Sequence, residues 1–155
     1  MKRWHASVWI ALFGVVACSS DDGGGGSSSD PYDKARQLCV DKTNAYRAQT
    51  GVAAVARATD KEACTDGEAK SDFASGKPHG AFGTCKESAQ NECPHWSGTP
   101  EDVVTNCLAM MYAEGPGEPY SEHGHYINMT SAKYSRVSCG FYVENGAVQM
   151  VQNFY

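Results

Sequence analysis

Apolar positions recur near helical spacing over residues 32–49, where Ala35, Leu38, Cys39, Ala45 and Tyr46 share a face and Gly51 supplies a stop. This predicts a first helix, followed by a short strand at 52–55. A second helix is expected from Thr59, because Thr59-x-x-Glu62 matches a capping box. Its apolar side would be Ala63, Ala69 and Phe73, and Gly76-Lys77-Pro78 would end it. Over 79–98 the periodicity dissolves into a Gly- and Cys-containing loop. The third helix has the clearest start: Thr99 as cap, Pro100 in the first turn, then Glu101 and Asp102 at the positive end of the dipole. Val103, Val104, Cys107, Leu108 and Met111 form its buried stripe, and Gly115-Pro116-Gly117 breaks it. The last third is strand-like. Residues 126–129 and 136–144 are rich in aromatic and branched side chains, Asn145-Gly146 is a hairpin signal, and 147–155 returns as the partner strand. Helices first and an antiparallel sheet last predict an α+β domain with helices on both faces.

The N-terminus changes the picture. Lys2 and Arg3, an apolar run over 8–17 and the small residues before Cys18 have the layout of a secretory signal. Val15-Val16-Ala17-Cys18 resembles a bacterial lipobox, so 1–17 is expected to be removed and Cys18 lipidated. The apolar run is about half of the ~20 residues a membrane-spanning helix needs. Residues 18–31, with their glycine and serine runs, read as a flexible tether reaching roughly 20 Å on average. The folded domain is then 32–155. The membrane is the first expected partner, and Ser19 after the lipidated cysteine points to the outer membrane or cell surface.

Cysteine counting agrees with export. Seven cysteines are odd; assigning Cys18 to lipid leaves six, which read as three disulfides in an oxidising compartment. The pairing expected is Cys39–Cys64, Cys85–Cys93 and Cys107–Cys139, one of fifteen. No CxxC pair suggests a zinc finger. Eighteen acidic against thirteen basic residues give a net charge of −5. Without a basic stripe this argues against nucleic acid as a natural ligand. A monomer is expected.

Gly124-His125-Tyr126-Ile127-Asn128-Met129, followed by Val137-Ser138-Cys139-Gly140, resembles the signature of the CAP superfamily, which comprises the cysteine-rich secretory, antigen 5 and pathogenesis-related 1 proteins. The pattern there is Gly-His-Tyr/Phe, a hydrophobic strand, then Val-Gly-Cys-Gly. Asn44-Ala45-Tyr46-Arg47 with Gly51 is similar to the first-helix Asn-x-x-Arg-x-x-x-Gly, Tyr112-Ala113-Glu114 to Trp-Tyr-x-Glu, and 149–155 to the closing strand. The resemblance implies a disulfide-stabilised three-layer α-β-α sandwich, its central sheet mainly antiparallel, around a cleft with two histidines and two glutamates. Carried over by position, His125 is the second histidine, Glu114 the second glutamate and His79 the candidate first histidine. The first glutamate belongs to Gly-Glu-Asn, and here the chain departs with Ala89-Gln90-Asn91-Glu92. Gln90 takes its place unless Glu87 or Glu92 swings in.

Three readings of this cleft stand side by side. His79 and His125 could hold Zn²⁺ or another divalent ion, with carboxylates orienting the rings. Glu114 could serve as base of a metal-assisted hydrolase acting on protein or cell-wall material. Alternatively the residues form a buried polar network that fixes cleft shape. Gln90 weighs against hydrolysis, since an amide cannot act as a base. The expectation is therefore a cleft that binds a small molecule, lipid, metal ion or protein without catalysis. His123 is expected in a loop before a strand, and His95 and Trp96 in a loop near Cys85 and Cys93. Ser121 and Ser131 lack a nucleophile-elbow motif.

Overall fold

The computed structural model describes residues 30–155. The signal segment, Cys18 and nearly all of the tether lie outside the described residues. Helix α1 (Asp33–Gln49) is followed by a two-residue strand β1 (Ala56–Arg57), helix α2 (Glu62–Ser75), strand β2 (Ala89–Ser97), helices α3 (Pro100–Ala113) and α4 (Tyr120–Thr130), and strands β3 (Arg136–Glu144) and β4 (Ala147–Phe154). The sheet order is β1-β3-β4-β2, antiparallel except for β1 against β3. Helices α1 and α3 cover one face and α2 the other, giving the expected three-layer α+β sandwich.

The two faces of the sheet differ in chemistry. Val137, Phe141, Val148, Met150 and Phe154 pack with Val103, Val104, Leu108 and Met111 of α3 in an apolar core. The face under α2 is polar: Ser138 bonds Thr65 at 2.6 Å, and Asn153 donates to Glu68 at 2.5 Å. Helix α2 accordingly buries Glu62, Thr65, Glu68, Ala69 and Asp72. The expected apolar side of α2 is corrected in part: Ala63 is exposed and Phe73 half-buried, while acids fill the interior.

Where local signals were strong, the elements fall as expected. Thr99 and Asp102 form a reciprocal capping box with Pro100 in the first turn. Asn145 and Gly146 take positive φ values of 52° and 78°, the pair a tight primed turn requires. Gly76 closes α2 in the left-handed conformation, at φ 64°.

Four expectations fail. The strand at 52–55 forms instead at Ala56–Arg57, because Asn44 takes the strand's place at Val55, accepting its N–H at 2.8 Å and donating to its carbonyl at 3.0 Å. The capping box at Thr59 does not form; residues 59–61 make a 3₁₀ turn, and Glu62 is drawn away to pair with Arg57 at 2.5 Å. The loop over 79–98 contains β2, a strand whose buried positions Gln90, Asn91 and Glu92 carry no apolar signal. Residues 126–129, expected as a strand, belong to α4.

The three disulfides also pair differently from expectation. They join Cys39–Cys139, Cys64–Cys85 and Cys93–Cys107, in place of Cys39–Cys64, Cys85–Cys93 and Cys107–Cys139. The layers explain why. Cys39 and Cys139 link α1 to the sheet face it covers, Cys93 and Cys107 link β2 to α3, and Cys64 on α2 reaches only the loop before β2.

Candidate functional site

The cleft is assembled by three segments that meet at one end of the sheet. The loop between α2 and β2 brings His79, β2 brings Gln90, and α4 brings His125 and Asn128. These four residues line one chamber of about 220 Å³, with Tyr120, Ser121 and Gly124 completing its walls. Glu114, the C-cap of α3, stands behind His125.

Each imidazole is held by its Nδ1. His125 Nδ1 lies 2.5 Å from Glu114 Oε1, and the same carboxylate accepts the His125 and Tyr126 backbone N–H groups at 3.1 and 3.4 Å. A carboxylate only accepts, so Nδ1 of His125 carries the proton and Nε2 keeps the lone pair. His79 Nδ1 lies 2.8 Å from Gln90 Oε1. The Gln90 amide has one orientation, because its Nε2 donates to Glu68 Oε2 at 3.3 Å and to Asn153 Oδ1 at 3.1 Å. Its oxygen therefore accepts from His79 Nδ1–H, again leaving Nε2 free. Neither Glu87 nor Glu92 takes over this place. Glu92 is 3.9 Å from His79 Nδ1 and binds the His79 backbone N–H at 2.5 Å.

The loop carrying His79 is held in an unusual way. Its alternate amides each donate to a buried carboxylate: His79 to Glu92, Ala81 to Asp72, Gly83 to Glu87 and Cys85 to Glu68. His79 itself sits at a positive φ of 60°, a left-handed conformation uncommon in residues other than glycine. Burial, reinforced by the neighbouring Glu87 carboxylate, pushes Glu68 up to about 7. Burial also raises Asp72 and Glu92. The folded protein thus holds the Glu68 proton more tightly than the unfolded chain. Its contribution is complete below the ordinary glutamate value and is lost as pH rises through about 7. Melting temperature should fall between pH 5 and 8, with up to roughly 3 kcal/mol of stability involved. Glu68→Gln should flatten that slope, whereas a wild-type melting temperature constant over this range would refute it.

Glu68, Cys85 and Glu87 bring three potential metal-ligand atoms within 4.8 Å of one another. The Cys85 sulfur is already bonded to Cys64, so it offers no thiolate and the group is an acidic pair beside a disulfide. His79, His125 and Glu114 do not converge to that extent.

Neighbouring features settle other expectations. His123 is on α4, not in a loop before a strand, and its Nδ1 donates to the Glu114 and Gly115 carbonyls at 2.8 and 3.0 Å, tying α4 to the end of α3. Gly117 is needed there, since a Cβ would stand 2.6 Å from the His123 ring carbon Cε1. His95 lies at the β2 bulge and stacks on Phe73 of α2 with centroids 4.3 Å apart. Asn128 was missed as a site residue because its segment reads as a strand. On α4 it is buried, donates to Asn91 at 3.0 Å and accepts from Tyr120 at 3.1 Å.

Neither a protein-family model nor a curated protein matches the sequence. Solved structures do match. NaASP2, crystallised with Zn²⁺, aligns with a TM-score of 0.66 at 15% identity over 79% of each chain. The hookworm platelet inhibitor aligns at 0.56 and 16% identity, over 79% of this chain and 69% of its own. Na-ASP-1 gives 0.60 and 11%, over 79% of this chain and 38% of its own. All three are CAP superfamily proteins. The chain has the CAP fold. In CAP-fold terms, the Gly-His-Tyr segment forms α4 rather than a strand, and Val137-Ser138-Cys139-Gly140 forms the first half of β3.

Proposed function

We propose that the chain displays a CAP-fold binding cleft on the non-cytoplasmic side of a cell envelope, held there by lipid on Cys18. The observation that carries the binding reading is the pair of imidazoles in one chamber, each anchored through Nδ1 so that Nε2 is available to a guest. Three disulfides fit maturation in an oxidising compartment. Among the described residues no helix is long and apolar enough to cross a membrane.

The chemistry favours binding over hydrolysis. Glu114 accepts three N–H groups, which occupy the oxygens a general base would use. The corresponding partner of His79 is the neutral Gln90. Ser121 lies in the chamber wall without a histidine bonded to it among the described residues.

Two imidazoles with Nε2 free are the donors a divalent ion would use, and NaASP2 was crystallised with Zn²⁺. His79 and His125 would hold it through Nε2, with Gln90 and Glu114 orienting the rings. A bound ion would supply an open coordination position for an oxygen of a ligand. The domain from residue 30 onward is titrated with Zn²⁺ by calorimetry. Binding lost in His125→Ala and preserved in Glu122→Gln is expected. Absence of any His125-dependent binding would remove the metal from the account. If Zn²⁺-loaded protein hydrolysed peptide or cell-wall substrates and Glu114→Gln stopped it, the hydrolase reading would replace this one.

A further inference from the structure

Beside the chamber holding the histidines lies a second, larger space of about 510 Å³, which shares His79, Gln90, Tyr120 and Asn128 with it as a common wall. Beyond that wall the larger arm is bounded by Phe82, Ile127, Tyr134, Ser131 and Lys133. Its volume is that of a site for a small organic molecule. Phe82 and Tyr120 are 50% and 55% exposed, among the few large hydrophobic side chains left open to solvent in the described residues. Three aromatic rings around one opening favour a flat apolar body.

The sign of charge in this arm is opposite to that of the protein. The chain is acidic overall, yet no aspartate or glutamate lines either space. Lys133 stands at the arm and makes no ion pair among the described residues. A second cation lies behind the wall. Arg47 is 1% exposed, and its guanidinium donates only to carbonyl oxygens, those of Ala53, Met129, Ser131 and Tyr134, at 2.6 to 3.1 Å. Ser131 and Tyr134 are themselves wall residues. A buried guanidinium without a carboxylate partner leaves net positive potential on that side. Carboxylates stand on the histidine side: Glu114 holds His125, and Glu68 holds Gln90 of the shared wall.

From this polarity we infer that the larger arm takes a small organic anion with a flat, ring-containing body, its anionic group toward Lys133 and its rings between Phe82, Tyr120 and Tyr134. The inference rests on the cleft being a binding site and names the class of guest. It also assigns Lys133 and the Arg47-held loop a role in charge selection, separate from the histidines.

The test uses 2-naphthoate, with 2-naphthalenemethanol as neutral and 2-naphthylmethylamine as cationic analogue, titrated into the domain from residue 30 onward. Binding is followed by amide chemical shifts. Naphthoate should bind at least about tenfold more tightly than either analogue, with the largest shifts at Phe82, Tyr120 and Lys133. Lys133→Gln should reduce naphthoate affinity about tenfold and leave the alcohol unchanged. Tyr120→Ala should weaken both. Equal affinity for all three compounds, or no effect of Lys133→Gln on naphthoate, would overturn the charge assignment while leaving the cleft a binding site. If no analogue shifted any cleft residue, both this assignment and ligand binding in this arm would fall. Lys133 is exposed, so its variant should fold normally.

Discussion

Gly140→Ala is expected to cost about 3 kcal/mol or more and to give little folded protein at 37 °C. Gly140 sits in β3 where α2 crosses the sheet. A Cβ there would lie 2.5 Å from the Thr65 carbonyl oxygen and 2.6 Å from the Asp66 nitrogen, and closer still to the Thr65 carbonyl carbon. These are backbone atoms and cannot turn aside as a side chain would. The helix would have to lift, breaking the Thr65–Ser138 bond and the Phe141 N–H bond to Asp66 at 2.8 Å. Gly67 supplies the control. It lies on the exposed face of α2 with nothing within 4 Å of a Cβ. Gly67→Ala should stabilise the domain by about 0.5–1 kcal/mol. Urea denaturation of the two variants checks both signs. A Gly140→Ala midpoint equal to wild type would mean that α2 does not approach β3 this closely.

The second large effect concerns the Cys39–Cys139 bridge. It joins residues 100 apart, whereas Cys93–Cys107 spans 14. Loop-closure entropy assigns about 5 kcal/mol to the longer bridge and about 3 kcal/mol to the shorter. All four cysteines are fully buried in the apolar core, so the small void left by alanine is common to both pairs and the closed loop decides the difference. The Cys39→Ala/Cys139→Ala double variant should therefore be less stable than Cys93→Ala/Cys107→Ala by roughly 2 kcal/mol. Denaturant midpoints under non-reducing conditions give the comparison. The reverse order would show that the stabilisation does not follow the closed loop.

These predictions rest on residues with different visibility in the sequence. Gly140, Cys139 and His125 could be marked from the CAP-like motif, and α3, β3 and β4 from capping, hairpin and alternation signals. Those signals are local and were kept. Asn44 and Arg47 could be marked as motif residues, but their work could not be read. Asn44 stands in for a strand at Val55, and Arg47 gathers four carbonyls from segments far along the chain.

What escaped is the polar half of the interior. Glu68, Asp72, Glu87 and Glu92 look like surface charges in a sequence, because isolated buried carboxylates are rare. Here each is offset by a loop amide, a long-range arrangement with no sequence period. The same concealment hid β2, whose inward positions Gln90, Asn91 and Glu92 are hydrogen-bonded rather than apolar. Disulfide pairing failed for a related reason, since proximity in sequence says little about which layer a cysteine faces. His79, the candidate first histidine by position, lies in the same chamber as His125 and Gln90.

The central claim is that the cleft presents two imidazoles oriented through Nδ1, with Nε2 left for a guest. Long-range ¹H–¹⁵N correlation spectra of the histidine rings at pH 8 test it most directly. His79 and His125 should both appear as the Nδ1–H tautomer, and added Zn²⁺ should shift both Nε2 resonances together. An Nε2–H tautomer in either ring, or Nε2 signals unmoved by Zn²⁺, would contradict the account.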